Sequence, residues 1–391
     1  MNIAIIITQS FEPEAGGVQR TTDKLYEIFQ SYNHSVLIIS FSKQEVFNKD
    51  RKIVYIIDSS NLEHCLETNN IELCINQSGY SLEINKKIGK AINHDTFLVN
   101  TLRINPLNFY TNHKQIVSAV LKSKGLSILD NAVFHKLVLY YHIIKQRYEL
   151  NYIIKNSDAF VMLSERFKSE LYFLAPGLKK YDHKIFGINN PFVKPEIEIS
   201  SLNKENIILY VGRLELNQKR VDLLLQIWKR LHSTLKDWRF VVVGDGPEKK
   251  MMQRYCAENN LNRVSFLGRQ IPDEYYKKAK IFHLTSAYEG FGNVLVEAQS
   301  YGCVPIMFDS YPAASEIVNH NRDGVLVKPF CVDTFVQKTV SLAHNKDLLS
   351  EMSHRGYINT DRFSYNKTYG KWNNVFKSII NNNAGQIDPL L

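Results

Sequence analysis

Cysteine is scarce in this chain and its spacing excludes two common uses. The 391 residues include five cysteines, at positions 65, 74, 256, 303 and 331, and no two of them form a Cys-x-x-Cys pair. An odd number of scattered cysteines favours neither a disulfide framework nor a zinc site, and it is typical of a reducing compartment. The expected location is therefore the cytoplasm.

Long apolar runs are missing as well. No stretch approaches the roughly 18 uninterrupted apolar residues of a transmembrane helix. Residues 1–7 are mostly apolar and predict a first β-strand. They carry no basic leader and no cleavage site, so a signal peptide is not expected. Apolar residues still make up 44% of the chain, so a packed core is expected. The length of 391 residues is enough for two domains of ordinary size.

Several signatures of phosphate and metal chemistry are also absent. The chain contains no GxxxxGK[ST], GxGxxG, GxSxG or HExxH motif, and no Asp-x-Asp pair. These absences argue against a P-loop, a dinucleotide-binding Rossmann site, a hydrolase elbow and a zinc protease. A sugar transferase without Asp-x-Asp needs protein cations to stabilise its leaving diphosphate. We therefore expect no metal and no cofactor.

Acidic residues are too few to balance the basic ones, and the net charge is +9. Between Arg103 and Lys155, eight Lys or Arg residues stand against only Asp130 and Glu149, among many aromatic and aliphatic side chains. Such a stretch is typical of a helix on an anionic membrane surface, although a core helix with solvated lysines gives the same pattern. No nucleic-acid motif accompanies the charge, so no nucleic-acid partner is expected.

Two series of alternating strands and helices run along the chain, which predicts two α/β domains with parallel sheets covered on both faces. We expect domains at residues 1–192 and 193–364, joined by a polar linker near 190–206. A final helix at 365–380 and a polar tail to residue 391 should follow. The predicted strands are residues 3–8, 36–40, 54–57, 73–76, 97–102, 159–163, 207–211, 240–243, 264–267, 281–285, 304–308 and 325–327.

The most informative motif is Glu289-Gly290-Phe291-Gly292-Asn293-Val294-Leu295-Val296-Glu297. It follows a predicted buried strand and is typical of a glycine turn that leads into a helix. The free N–H groups at a helix start suit an anion such as a diphosphate. Glu289 and Glu297 then provide two acceptors for hydroxyl groups on either side of that anion. This arrangement suits a nucleotide-sugar better than a bare nucleotide.

Two cations and three glycine-containing turns extend the predicted site. Arg213 follows a strand, and Lys219 lies six residues later, so both could neutralise a diphosphate, although surface residues beside a helix start would look the same. Gly244, in a tight turn before Pro247, and the backbone of Arg269 could border a nucleoside pocket. The pair Gly16-Gly17 permits close approach of a ligand to the backbone, and a plain helix start explains it equally well.

In this order and spacing, the segments Val211-Gly212-Arg213, Lys219-Arg220-Val221-Asp222, Gly244-Asp245-Gly246-Pro247 and Glu289 to Ala298 resemble glycosyltransferase family 4. These are retaining enzymes of the GT-B fold, in which two Rossmann-like, doubly wound α/β domains face a central cleft. The resemblance covers most of the C-terminal half. In the N-terminal half it rests mainly on the first strand, Gly16-Gly17 and Leu163-Ser164-Glu165.

The resemblance implies a role for each motif. Arg213 and Lys219 look like the cations that bind the diphosphate, Glu289 would contact the donor sugar, and Glu297 would contact the ribose. Gly17 would approach the diphosphate from the N-terminal domain, and the last helix would cross back onto that domain. The residues expected to line the donor through their backbone or turn are Gly16, Gly244, Arg269, Gly290, Phe291, Gly292, Asn293 and Val294.

Arg103 marks a departure from the family pattern. Many members carry a histidine at a similar position, after an N-domain strand, and that histidine helps hold the donor sugar. An arginine there could instead contact a charged sugar or an acceptor phosphate.

The implied activity is that of a retaining hexosyltransferase. We expect it to move a hexose from a nucleotide diphosphate sugar, with UDP as the expected carrier, to a hydroxyl acceptor. The expected acceptor is a lipid-linked or surface glycan intermediate of capsule, lipopolysaccharide or exopolysaccharide synthesis. A nucleotide-sugar epimerase of the GT-B fold and a non-catalytic nucleotide-sugar binder remain as alternatives.

Overall fold

A computed structural model describes residues 1–13, 16–43, 48, 50–56 and 60–384. The chain forms two compact units, one made of Met1–Pro191 with Tyr365–Leu391 and the other of Phe192–Ser364. The predicted polar tail beyond residue 384 and the end of the predicted strand at 54–57 lie outside the described residues.

The first unit is built on a seven-stranded parallel sheet with the order β3-β2-β1-β4-β5-β6-β7. Its central strands are apolar on both faces, as expected for a parallel sheet that is covered on both sides. The strands are β1 (Asn2–Ile7), β2 (Ser35–Ser40), β3 (Ile53–Tyr55), β4 (Leu73–Asn76), β5 (Phe97–Leu102), β6 (Ala159–Met162) and β7 (Ile185–Gly187). The helices are α1 (Gly17–Ser31), α2 (Ser60–Thr68), α3 (Leu82–Ala91), α4 (Asn108–Ser123), α5 (Ala132–Lys155) and α6 (Phe167–Leu174).

The second unit contains a six-stranded parallel sheet with the order β10-β9-β8-β11-β12-β13. One large core, which includes Trp228, Phe240 and Phe335, covers a face of this sheet. The strands are β8 (Glu205–Val211), β9 (Arg239–Val243), β10 (Val264–Phe266), β11 (Ala279–Leu284), β12 (Val304–Phe308) and β13 (Val325–Val327). The helices are α7 (Val221–Thr234), α8 (Lys249–Glu258), α9 (Asp273–Lys278), α10 (Asn293–Ser300), α11 (Ala314–Ile317), α12 (Val332–His344) and α13 (Lys346–Asn359).

The last helix, α14 (Tyr365–Ala384), packs on the core of the first unit. The ring of Trp372 meets Phe29 of α1 edge to face, with ring centroids 5.6 Å apart. Val375 and Phe376 are buried in the same core. Buried aromatic side chains contribute strongly to the stability of a core. The helix α14 is therefore a structural part of the first unit.

The segment after Pro191, where a polar linker is predicted, makes several hydrogen bonds. The N–H of Phe192 donates to the Phe363 carbonyl at 2.9 Å, and Lys194 Nζ donates to Asp361 Oδ1 at 2.8 Å. The Tyr357 hydroxyl donates to the Ile197 carbonyl at 2.9 Å. These bonds attach the segment to the second unit.

The predicted strands match the observed ones in place, with ends that differ by one or two residues, as strand and helix ends commonly do. The prediction omitted β7, a three-residue edge strand with little periodic signal. The helix α7 begins at Val221, because Arg220 before it adopts a left-handed backbone with φ of 48°.

In each sheet the strands are parallel, so their carboxyl ends lie at the same edge of that sheet. The strand order reverses between β1 and β4 in the first unit, and between β8 and β11 in the second. Ligands of open α/β sheets bind outside the carboxyl ends at such a point. No helix within the described ranges is long and apolar enough to cross a membrane.

Candidate functional site

The loops after β8, β9 and β10 are joined by backbone hydrogen bonds at the carboxyl edge of the second sheet. The N–H of Gly212 donates to the Val243 carbonyl at 3.0 Å, and the N–H of Gly244 donates to the Gly268 carbonyl at 2.8 Å. The N–H of Leu214 donates to the Asp245 carbonyl at 2.9 Å. Three turns that are distant in sequence therefore form one continuous wall.

This wall explains why Gly244 and Gly246 are glycines. A Cβ atom on Gly244 would lie 1.9 Å from the Gly212 carbonyl oxygen, and one on Gly246 would lie 2.2 Å from that of Leu214. Gly244 also has a φ of 144°, which residues with side chains rarely adopt. The glycines are required for close packing of the loops. Whether Gly244 also lines a nucleoside pocket stays a prediction.

At the switch point, Lys219 and Glu289 form a close ion pair. Lys219 Nζ donates to Glu289 Oε1 at 2.6 Å, and the two side chains are 15% and 9% exposed. The Ser286 hydroxyl donates to the same oxygen at 2.7 Å, and Gln218 Nε2 donates to Oε2 at 3.2 Å. The carboxylate is thus held by three donors, as a mostly buried charge requires.

Further bonds fix the loop that follows β11 against the loop that follows β8. The Thr285 hydroxyl donates to the Lys219 carbonyl at 2.8 Å, and the N–H of Ala287 donates to the Gln218 carbonyl at 2.7 Å. The ion pair therefore sits on two loops whose backbones are bonded to each other. The bonded backbones therefore set the relative position of Lys219 and Glu289, which depends little on rotation of either side chain.

The helix α10 begins at this edge, immediately after Gly292. That residue has a φ of 104°, and a Cβ atom there would lie 2.7 Å from the Tyr311 hydroxyl. The hydroxyl of Tyr311 is buried and has no hydrogen-bond partner among the described residues. Burial, followed by the charges of Glu289 and Asp309, raises the pKa of Tyr311 well above its usual range. An unpaired polar group thus stands beside the amino end of a helix, where N–H groups are also unsatisfied.

Phe291 precedes the start of α10 and Glu297 lies about one turn inside it, and the two side chains have different surroundings. The Phe291 side chain is buried edge to face against Phe363, with ring centroids 5.6 Å apart, so only its backbone can serve a ligand. Glu297 is half-buried, and the Tyr276 hydroxyl donates to its Oε2 at 3.2 Å. Burial and the charge of Glu297 raise the pKa of Tyr276, which therefore remains a donor.

Three arginines near the loops of the second unit differ in exposure. Arg213 directly follows the turn after β8, is 70% exposed and lies 3.5 Å from Glu215. Arg269 is exposed on the turn after β10. Arg220 donates from both its Nε and its NH2 to Asp222, at 3.0 and 2.8 Å.

The predicted residues of the first unit lie at the carboxyl edge of its own sheet. Gly17 opens α1 and Gly16 precedes it. A Cβ atom on either glycine would meet no described atom within 4 Å, so the backbone there is open to close approach. Arg103 directly follows β5, and its Nε donates to Gln77 Oε1 at 2.6 Å.

The structure therefore brings Lys219, Glu289 and the loop from Gly290 to Val294 together, whereas Gly16, Gly17 and Arg103 belong to the other unit. Sequence reasoning missed the partners Gln218, Ser286 and Tyr311. Gln218 adjoins Lys219, and Ser286 lies three residues before Glu289, so polar residues close in sequence to the identified pair are a usable signal. Nothing near Tyr311 in the sequence indicated its position. No group of three or more potential metal ligands occurs in the part of the chain that the structure describes.

The second unit has a match among known families. Residues 194–358 match the model described as "Glycosyl transferases group 1". The similarity to this family therefore covers most of the second unit. All residues of the Lys219–Glu289 cluster lie within the matched range.

One relative and two solved structures extend this similarity. The chain is 30% identical over 213 residues to the amylovoran biosynthesis glycosyltransferase AmsD of Erwinia amylovora, a match that spans 50% of this chain and 59% of AmsD. TarM of S. aureus, in complex with UDP, fondaparinux and α-GlcNAc-glycerol, superposes with a TM-score of 0.73 at 14% identity and covers 96% of this chain and 100% of that one.

HepE of Anabaena, in complex with UDP and glucose, gives a TM-score of 0.69 at 14% identity, with 97% of this chain and 100% of that chain covered. At 14% sequence identity, the similarity to these two structures establishes only the fold. With the two parallel sheets, it confirms the predicted GT-B fold of two Rossmann-like domains.

Proposed function

We propose that this protein is a retaining glycosyltransferase of family 4 that moves a hexose from a nucleoside diphosphate sugar to a hydroxyl acceptor. The observation that carries the proposal is the Lys219–Glu289 pair, fixed at the switch point beside the amino end of α10. This arrangement places a cation, a carboxylate and helix N–H groups within one loop cluster, inside the range 194–358 that matches the group 1 glycosyl transferase model.

The cluster has the chemistry needed to bind a diphosphate. An ammonium has three donors, so Lys219 can keep its bond to Glu289 and still donate to phosphate oxygens. Arg213 is exposed, and its contact with Glu215 is worth little, so its guanidinium can turn to an anion at low cost. The first N–H groups of α10 add donors that need no side-chain movement. With three such sources of positive charge, we propose that the reaction requires no metal ion.

The carboxylates are the acceptors of the cluster. Glu289 is assigned to hydroxyls of the donor sugar and Glu297 to the ribose, with the backbone of Gly290 to Val294 along the diphosphate. Lys219, Ser286 and Gln218 keep the Glu289 carboxylate oriented, so little ordering is required when a hydroxyl binds. Gly244 and Arg269 are assigned to the nucleoside and Gly16 and Gly17 to the diphosphate.

In the proposed transfer, the acceptor oxygen forms a bond to the anomeric carbon on the face from which the diphosphate leaves. The bond between that carbon and the β-phosphate oxygen breaks, and the departing diphosphate accepts the acceptor proton. Anomeric configuration is then retained without a covalent intermediate. Fixed cations that stabilise the leaving group are worth most in the transition state, and removal of one should cost about 2–4 kcal/mol.

The proposed donor is a UDP-sugar and the proposed acceptor a glycan intermediate of a surface polysaccharide. Both solved structures named above contain UDP, and AmsD is named for amylovoran biosynthesis. These names describe other proteins, and they support the choice of substrates to try first.

Turnover followed by NMR tests this function. The chain is incubated with UDP-hexoses, GDP-hexoses and oligosaccharide acceptors, and the anomeric proton of the product is observed. We expect a new glycosidic signal with the donor's anomeric configuration, lost in Lys219→Ala and kept in Lys229→Ala, which removes an exposed lysine of α7. Conversion of the donor sugar in the absence of any acceptor would point to the epimerase instead.

The helix α5 supports a second part of the proposal, namely contact with an anionic membrane. It exposes large apolar side chains that recur every three or four residues and therefore share one face of the helix. The exposed side chains are Val133, Leu137, Tyr140, Tyr141, Ile144 and Tyr148. The short turn before the helix adds Ile128, which is 90% exposed. We call the exposed face of residues 128–148 the α5 face.

The charged residues near the α5 face indicate which kind of surface it would bind. Lys136 and Lys145 are exposed on α5, and Lys122 and Lys124 are exposed at the end of α4. Among the described residues, only Lys145 of these four has a carboxylate within 4 Å, that of Glu149 at 3.9 Å. Aromatic side chains among unneutralised lysines are the pattern of helices that lie at the interface of anionic bilayers. We therefore propose that the chain acts in the cytoplasm on lipid-linked acceptors and binds the membrane through this face.

Flotation with vesicles tests the membrane contact. Phosphatidylglycerol-rich vesicles should bind the protein at low salt, and phosphatidylcholine vesicles should bind it weakly. The double variant Leu137→Ser/Tyr140→Ser should lose binding at least tenfold, because each large apolar side chain is worth about 1.5–3 kcal/mol on burial. The control Ile271→Ser changes a side chain that is 79% exposed on the second unit. Binding unaffected by the double variant, or a dimer that it disrupts, would refute the membrane contact.

A further inference from the structure

The hydrogen bonds around Arg103 leave more donors than acceptors at the carboxyl edge of the first sheet. Arg103 Nε donates to Gln77 Oε1 at 2.6 Å, and NH1 lies 3.4 Å from Asn190 Oδ1. Both acceptors are neutral amide oxygens. The Thr101 hydroxyl also donates to Gln77 Oε1, at 3.2 Å, and the Thr21 hydroxyl donates to Asn190 Oδ1 at 3.3 Å. Each oxygen therefore already serves two donors.

Two buried donors remain unpaired at this point. Within the described ranges, neither Arg103 NH2 nor Gln77 Nε2 has a hydrogen-bond partner, and Gln77 is only 1% exposed. No described carboxylate offsets the guanidinium charge, and burial lowers the pKa of Arg103 to about 9. A buried charge and a buried amide are each costly unless something accepts their hydrogen bonds.

Arg263 has a purely structural role and provides a comparison for Arg103. Its NH1 donates to the carbonyls of Leu235 and Trp238 at 2.5 and 2.6 Å, and its NH2 donates to the His232 carbonyl. Three backbone acceptors thus satisfy that guanidinium. Arg103 has no such set, so a structural role leaves its NH2 and the neighbouring Gln77 amide unexplained.

We propose that Arg103 and Gln77 form an oxyanion-binding subsite that recognises a phosphate or carboxylate group of a substrate. The guanidinium supplies the charge and a planar pair of donors, and Gln77 Nε2 supplies a further N–H. The Arg103–Gln77 bond orients both groups, and Asn190 holds the other side of the guanidinium. This subsite extends the proposed glycosyltransferase function, because it requires one substrate to carry an anionic group in addition to its reacting hydroxyl or anomeric centre.

The subsite is tested by titrating the full chain with inorganic phosphate and with glucuronate in a calorimeter. The titrations are made on the native chain and on a Lys219→Ala background, in which the cation of the second unit is removed. Arg103→Gln should weaken binding of the preferred anion at least tenfold on both backgrounds. The control Lys179→Gln, which removes one exposed charge from the same unit, should change it less than twofold.

Gln77→Glu separates a binding role from a structural one. The new carboxylate would pair with the Arg103 guanidinium, so the unfolding midpoint in urea should rise while anion binding is lost. A residue pair that serves only the fold would gain stability with no change in binding. Arg103→Lys keeps the charge but not the planar fork and should bind the anion with intermediate affinity.

The source of the oxyanion follows from a parallel titration with UDP. If Arg103→Gln weakens UDP binding by the same factor as phosphate, the donor diphosphate occupies the subsite. If UDP binding is unchanged, the anion belongs to the acceptor, and a preference for glucuronate assigns a sugar acid. Phosphate and glucuronate affinities that do not respond to Arg103→Gln and Gln77→Glu would overturn the subsite. If the affinity for UDP is the same in Lys219→Ala as in the native chain, the proposed function is overturned, independently of the result for the subsite.

Discussion

Removal of one partner of the Lys219–Glu289 pair should destabilise the second unit, and the two removals should be strongly coupled. The partners are 2.6 Å apart and their side chains are 15% and 9% exposed. Breaking a buried pair by removing one charge typically costs about 3–5 kcal/mol, because the other charge is left uncompensated. In Lys219→Met, Ser286 and Gln218 still donate to the carboxylate, so we expect the lower figure of about 2–3 kcal/mol.

The double variant Lys219→Met/Glu289→Gln has no uncompensated charge. Its loss of stability should be smaller than the sum of the two single losses by about 2 kcal/mol, which is the coupling energy of the double-mutant cycle. An isolated surface pair would give less than about 1 kcal/mol. The size of the coupling therefore reports whether the pair is as buried as the structure has it.

Tryptophan fluorescence during urea unfolding measures this cycle in the correct unit. Trp228 and Trp238 are buried in the second unit, and Trp372 is the one tryptophan of the first. A Trp372→Phe background makes the signal specific to the second unit. The variant Lys229→Met, on the exposed face of α7, controls for loss of a lysine. Single-variant losses that simply add within about 0.5 kcal/mol would refute the reasoning.

Two further predictions concern the same unit. Gly244→Ala should destabilise it by about 2–3 kcal/mol in urea unfolding, because its Cβ would stand 1.9 Å from the Gly212 carbonyl oxygen; Gly89→Ala, whose Cβ meets no described atom within 4 Å, is the control, and equal stability of the two variants would contradict the packing argument. His283 is buried against Phe335 and Thr339, and burial lowers its pKa to about 3. Since the unfolded state binds this proton from about pH 6.5 downward and the folded state only near pH 3, the stability contributed by neutral His283 is fully present above pH 6.5 and is lost as the pH falls, by roughly 2 kcal/mol at pH 5. His283→Gln should remove that part of the pH dependence, and an unchanged slope between pH 6.5 and 5 would show that His283 is not the group responsible.

The strand pattern and the 289–297 motif could be predicted from the sequence for clear physical reasons. Strands buried on both faces are continuous apolar runs, and β4, β5, β12 and β13 have the predicted bounds. The motif is local, so its turn and helix follow from its glycines. The short strand β7 and the bonded segment after Pro191 could not be found in this way, because their stability comes from partners distant in the chain.

The candidate site shows the same division. Lys219 and Glu289 were each identified, but they lie 70 positions apart in the sequence, so nothing indicated that they bond to each other. The need for glycine at Gly244 depends on the carbonyl of Gly212, which arrives from another strand. The unpaired donors of Arg103 and Gln77 are likewise a property of the folded edge. Residue types can be predicted locally, whereas their pairing depends on the topology of the sheet.

Calorimetric titration with UDP in the presence of EDTA tests the central claim most directly. That claim is that the second unit binds a nucleoside diphosphate with its own cations at the Lys219–Glu289 cluster. The native chain and Lys229→Ala should bind UDP equally well, and Lys219→Ala should bind it at least tenfold more weakly, which corresponds to about 1.4 kcal/mol. Equal affinity of all three proteins, or binding that appears only when manganese is restored, would contradict it.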